Sequence, residues 1–155
     1  MIEKTRKILT AIISAIVIIG VVYGVFALII NLFKEPDILT KDEIALHMIE
    51  ENLVTNYTTF YFVSDCFDNL VEGAKRGLYN QLYEIHMKDY KKVISKEAVY
   101  AELKEFSVNG AEYSIKAVYE KDGLYIVEYN LNGQTKTMLM SFESKSSSYE
   151  FAIAK

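Results

Sequence analysis

The sequence predicts an α+β protein: an N-terminal transmembrane helix, then two or three helices packed on a curved four-stranded antiparallel meander. Three observations carry that prediction. The first is Ile8 to Phe33, a run of 26 residues without a charged side chain. The second is the stretch from Thr40 to about Phe106, where apolar residues recur at three- and four-residue steps, as on one face of a helix. The third is the region after Asn109-Gly110, where apolar and polar residues alternate between turn signals. Helices first and strands last is the α+β order.

Residues 1–7 form a short tail carrying Lys4, Arg6 and Lys7 against Glu3. Residues 8–33 are the predicted span. As a helix it measures about 39 Å at ~1.5 Å per residue, enough to cross a hydrocarbon core of ~30 Å with some tilt. Buried helices of soluble proteins seldom run this long without a charge. A cleaved signal peptide has an apolar region of only ~7–15 residues and a small-residue cleavage site; Val25-Phe26-Ala27 is a poor one. The reading is an uncleaved anchor. Positive residues stay on the cytoplasmic side, so the N-terminus is expected inside and residues 34–155 outside the cell membrane. Gly20 and Gly24 form a GxxxG with Ala27 near the same side, a pattern that lets two membrane helices approach closely. A homodimer, or pairing with the anchor of another membrane protein, is the expected association, and the lipid bilayer is the first partner.

Residues 34–39 are a linker holding Pro36, the only proline, which stops the anchor helix. The domain is residues 40–155, room for one core and not two. Thr40-Lys-Asp-Glu43 reads as a capping box, and from there to Glu72 neither Gly nor Pro interrupts the chain. One long helix is predicted over about 41–72, bent near Asn52–Thr59, where Val-Thr-Asn-Tyr-Thr-Thr is poor in helix formers. Glu72 to Gly77 is a turn with two glycines. A second helix covers Leu78 to Lys88. A third starts at the N-cap Ser95 and runs to about Glu105. Tyr113 to Glu120, Leu124 to Leu131, Gln134 to Glu143 and Tyr149 to Ala154 are the predicted strands. Lys121-Asp122-Gly123 and Asn132-Gly133 are hairpin signals, and Ser144–Ser148 links the last pair.

Composition narrows the function. The net charge is −4; residues 1–33 carry +2, leaving −6 on residues 34–155. An acidic domain is a poor nucleic-acid binder and has no electrostatic reason to lie on anionic lipid. One cysteine, Cys66, rules out an internal disulfide. Few disulfides outside the cell, with Lys far exceeding Arg, suit a Gram-positive bacterium. Cys66 lies on the apolar face beside Phe62, Val63, Phe67 and Leu70, and Asp65 and Asp68 oppose a thiolate, so it reads as a buried, inert thiol. Glu43, His47 and Glu50 share a face of the long helix at steps of four and three, where a weak metal site is conceivable, but no HExxH accompanies them, and a solvated face is the reading. His86, among Tyr83, Glu84 and Asp89, lacks a nucleophile or oxyanion partner. Asn56-Tyr-Thr58 is a sequon expected to be unused. The chain is expected to be no enzyme and to need no metal or cofactor. Twelve tyrosines and eight phenylalanines are its most unusual feature. If the sheet encloses a cavity, Tyr83, His86, Tyr113 and Tyr125 are the candidates to line it, although plain packing accounts for aromatics in strands as well.

The order of two or three helices and a meander resembles the nuclear-transport-factor-2-like (cystatin-like) cone fold. Phe60-Tyr-Phe-Val-Ser-Asp-Cys66, Leu82-Tyr-Glu-Ile-His-Met-Lys-Asp-Tyr90 and Ile94-Ser-Lys-Glu-Ala-Val99 are similar to segments of small membrane-anchored Firmicutes proteins. The likeness covers roughly residues 40–155 and consists of packing motifs. One anchor plus one such domain also resembles the assembly-scaffold subunit of type IV secretion and conjugation machines. The likeness implies an extracytoplasmic interaction or scaffold domain of a cell-envelope complex. The alternative is a small-molecule-binding or enzymatic cone using the concave face of its sheet. An open cavity favours the second reading, a filled one the first.

Overall fold

The computed structural model describes residues 16, 17, 19–27, 38–143 and 148–154. The chain divides into two compact units, Met1–Glu35 and Pro36–Lys155. In the first, residues 16, 17 and 19–27 are helical (α1) and their side chains are exposed. Most of the expected span 8–33, and the break at Pro36, lie outside the described residues. Among the described residues no helix is long and apolar enough to cross a membrane.

The second unit opens with α2 (Lys41–His47), held by the capping box the sequence announces. Thr40 Oγ1 accepts from the Glu43 N–H at 3.3 Å, and the Thr40 N–H donates to Glu43 Oε2 at 2.8 Å. The single long helix expected over 41–72 does not form. The chain stops at His47, makes a 3-10 turn (Glu50–Asn52), and resumes as α3 (Tyr57–Lys75). The cause lies elsewhere in the sequence. Leu53 bridges Tyr119, and the Val54 N–H donates to the Val118 carbonyl at 2.9 Å. A β-branched stretch thus becomes a short strap on the sheet edge, where its backbone groups find partners. Asn56 then caps α3, its Oδ1 accepting from the Thr59 N–H at 3.1 Å.

Helix α3 buries Val63, Cys66, Phe67, Leu70, Val71 and Ala74 in steps of three and one, one stripe of a helix. At Gly73 a β-carbon would meet Leu82 at 3.3 Å, so glycine sets how closely the next helix approaches. That helix is α4 (Tyr79–His86), ending two residues before the expected Lys88. A second 3-10 turn (Tyr90–Lys92) leads to α5 (Lys96–Phe106), capped by Ser95 as predicted.

The sheet is an antiparallel meander of β1 (Tyr113–Lys121), β2 (Leu124–Leu131), β3 (Gln134–Phe142) and β4 (Tyr149–Ile153), in that spatial order. Both tight connections have the mirror-image geometry that two-residue hairpins demand, with φ of 53° and 80° at Asp122-Gly123 and 53° and 85° at Asn132-Gly133. A bulge between Ile115 and Ala117 interrupts the β1–β2 ladder. Phe67 of α3 and Phe106 of α5 pack on Tyr129 of β2, with ring centroids 4.9 and 5.6 Å apart. Tyr129, Val127, Met138, Met140 and Phe151 on that face are fully buried. Ile126, Leu139 and Ala152, which alternate with them, are buried on the other face. The interior is therefore packed from both sides of the sheet.

Candidate functional site

Lys136 is the residue that breaks the pattern of its strand. Register and alternation place it on the helix-facing side of β3 with Met138 and Met140. An ammonium there must find anions. Two carboxylates meet it from α5, three residues apart and so on one helix face. Lys136 Nζ lies 3.1 Å from Glu102 Oε1 and 2.7 Å from Glu105 Oε2. The Tyr129 hydroxyl donates to the same Glu102 oxygen at 3.1 Å. A phenol, two carboxylates and an ammonium thus form one partly buried cluster where α5 crosses the sheet.

The electrostatics fix its protonation. Burial pushes the Tyr129 phenol up, and the charges of Glu102 and Glu105 push it further. Burial alone would lower Lys136, but its hydrogen bonds and attraction to the two carboxylates outweigh that and hold it above the usual lysine range. At neutral pH Tyr129 is a neutral donor and Lys136 a cation. The cluster therefore presents one phenol donor and one cation to the two carboxylates.

Beside the cluster is an open hollow of about 450 Å³. Ile44 of α2 and its C-cap Met48 line it with Glu102 and Lys136, and Ile153 and Ala154 follow from the end of β4. It lies where the described β3–β4 pairing stops. The described β3–β4 pairing ends at Met138↔Ile153, whereas β3 begins at Gln134. An apolar wall, a charged rim and the outer edge of a strand converge there. That combination suits an extended chain laid along β3, with one apolar side chain against Ile44 and Met48.

The four residues proposed to line a cavity are spread over α4, β1 and β2. Tyr83 is buried against Tyr100 between α4 and α5, with the Lys91 and Lys96 ammonium groups 5.5 and 5.8 Å from its ring centroid. His86 stacks on Tyr149 at 4.2 Å and its Nδ1 lies 2.9 Å from the Tyr149 carbonyl, so Nδ1 carries the donated proton. Tyr113 and Tyr125 face opposite ends of the β1–β2 ladder, pairing with Leu131 and Glu120. Tyr113 donates to Asp68 at 2.9 Å and Tyr125 packs on Phe142. Tyr113 does line a second, smaller hollow of about 310 Å³ with the residues of the Asn132-Gly133 turn.

Glu43 turns back to cap Thr40, and Glu50 lies beyond the end of α2, so the face shared with His47 does not form. Among the described residues no three His, Cys, Asp or Glu side chains could hold a metal. Cys66 is buried, and burial followed by the Asp65 charge raises its thiol above the ordinary value. Gly20 and Gly24 are helical with open space where a β-carbon would stand, and Ala27 is exposed on the same helix. The Lys136 cluster was missed in the sequence, although a signal exists there: a lysine in phase with Met138, Met140 and Phe142 is an inward-pointing charge.

No known protein family, curated protein or solved structure matches the chain.

Proposed function

We propose that this chain is a single-pass, membrane-anchored interaction or scaffold domain of a cell-envelope complex, non-catalytic, with its domain outside. The packed interior is the observation that carries the reading. A cone used for ligands needs an open concave face, whereas Val127, Tyr129, Met138, Met140 and Phe151 fill the helix-facing side. The hollow at the start of β3 is the best place for a partner's extended segment. The uncharged run 8–33 and the positive tail support the anchor and its orientation. The space beside Gly20 and Gly24 supports pairing through the anchor. The resemblance to cone-fold and secretion-scaffold proteins belongs to the same proposal.

Small-molecule binding is the second reading, favoured by the size of the hollow, about 450 Å³, which falls within the usual range of ligand sites. The test is a photoreactive residue at Thr135 in the full-length chain, irradiated in native membranes. The scaffold reading expects a discrete protein adduct that disappears when Ile44→Lys puts a charge on the apolar wall. No adduct at Thr135, with a small molecule co-purifying with the protein and lost in Ile44→Lys, would establish the second reading instead.

A further inference from the structure

One stretch of the second unit exposes large apolar side chains. Leu46, Ile49, Leu53, Tyr57, Tyr61 and Phe62 fall within seventeen consecutive residues, and all are 37–78% exposed. They run from the end of α2 through the 3-10 turn to the start of α3. The Tyr57 and Tyr61 rings stack on one another at 6.2 Å. A surface this apolar needs a cover.

The outer stripe of α3 identifies it. Positions 57, 61, 65, 68 and 72 follow one another at steps of four and three, so they form a single line opposite the buried face. The line is aromatic at Tyr57 and Tyr61, then acidic at Asp65, Asp68 and Glu72. The change occurs about 6 Å beyond Tyr61 at ~1.5 Å per residue. An apolar end, an abrupt acidic boundary and a depth of that order match an element seated ~5–10 Å into the headgroup layer of a bilayer. Tyr and Phe are among the side chains suited to that layer. Charge excludes attraction to anionic lipid, since the exposed Asp42 and Glu43 precede the stretch and the exposed Glu50 and Glu51 lie within it.

We propose that residues 46–62 form a membrane-seating surface that lies in the headgroup layer by apolar and aromatic contact, fixing the tilt of the domain. The inference rests on the anchor reading above, and one reporter tests each.

The chain has no tryptophan, so a single introduced one reports alone. Full-length protein is reconstituted in phosphatidylcholine vesicles. Tyr61→Trp, and Tyr57→Trp as a second variant, should emit at shorter wavelength than Val108→Trp. They should lose roughly half their emission to lipid brominated near the headgroup, as insertion to that layer requires, and salt should not restore it. Phe26→Trp, quenched by deeply brominated lipid, reports the anchor. If Phe26→Trp is quenched while Tyr61→Trp and Tyr57→Trp match Val108→Trp, the seating surface is refuted and the anchor stands. Short-wavelength emission without quenching would mean that a protein, a partner or a second copy, covers the surface, which also refutes it. If Phe26→Trp is not quenched, the anchor reading itself falls.

Discussion

Replacing Lys136 with methionine keeps most of the side-chain volume and removes the charge that joins α5 to the sheet. The wild-type ammonium makes two contacts, at 3.1 and 2.7 Å, and its side chain is 19% exposed, against 24% for Glu102 and 46% for Glu105. Exposed ion pairs contribute ~0–1 kcal/mol, and hydrogen bonds to buried charges ~1.5–3. The cluster lies between those limits. Methionine also escapes the cost of desolvating an ammonium, which offsets part of the loss. The net expectation is a destabilisation of ~1–2 kcal/mol, a midpoint lowered by roughly 3–10 °C for a unit of this size. Urea unfolding of the full chain in detergent, followed by near-ultraviolet circular dichroism, measures it. The cycle with Glu102→Gln adds specificity, because Glu102 serves both Lys136 and Tyr129. The double variant should be more stable than the sum of the singles by about 1 kcal/mol, since removing one partner already strands the other. A neutral or stabilising Lys136→Met with additive singles would show that the cluster is an ordinary surface contact, and the site would lose its fixed rim.

The tyrosines predict alkaline lability. Burial holds Tyr113 and Tyr149 at about 12 and raises Tyr129 as well, from an ordinary value of 10.0. The folded state keeps protons that the unfolded chain releases, so stability is complete below about pH 10 and falls as pH rises toward 12; an absorbance titration showing all twelve phenols ionising normally in folded protein would refute this. Cys66 should react slowly with a thiol reagent in native protein, and Cys66→Ser should cost ~1–3 kcal/mol for a buried hydroxyl, read by denaturation; rapid labelling would contradict its place in the core. Gly20→Ile with Gly24→Ile should lower cross-linking between chains in membranes without preventing insertion, and unchanged cross-linking would assign any oligomer to the second unit alone.

The sheet was legible because its signals are local. Period-two alternation gives each strand, and Asp122-Gly123 and Asn132-Gly133 give each turn, so strand boundaries fall within a residue or two of those read from sequence. The caps Thr40 and Ser95 were legible for the same reason: each serves a backbone N–H three residues away. The break between α2 and α3 was not, since Leu53 and Val54 leave the helix to pair with Tyr119 and Val118, more than sixty positions on. The candidate site was hidden likewise. Glu102 and Glu105 look like solvated helix residues until a crossing of α5 over β3 brings Lys136 beneath them. The positions of Tyr83, His86, Tyr113 and Tyr125 were not legible either, because composition gives the number of aromatics and not their destinations.

The strap at Leu53 also bears on the order of folding. Its bridge to Tyr119 closes a loop of 66 residues, an ordering cost of about 4 kcal/mol beyond the constant for closure. The β1–β2 and β2–β3 hairpins close over two residues each and can form in microseconds once synthesised. They lie last in the chain. A segment emerging N-terminus first therefore presents Val63, Phe67, Leu70 and Val71 of α3 before any strand exists to receive them. The meander should assemble first on its own turns and the helices dock afterwards, with the strap closing last. Until then the apolar stripe of α3 is open to capture by chaperones or by other copies, so the yield of folded protein depends on how soon the final forty residues follow it.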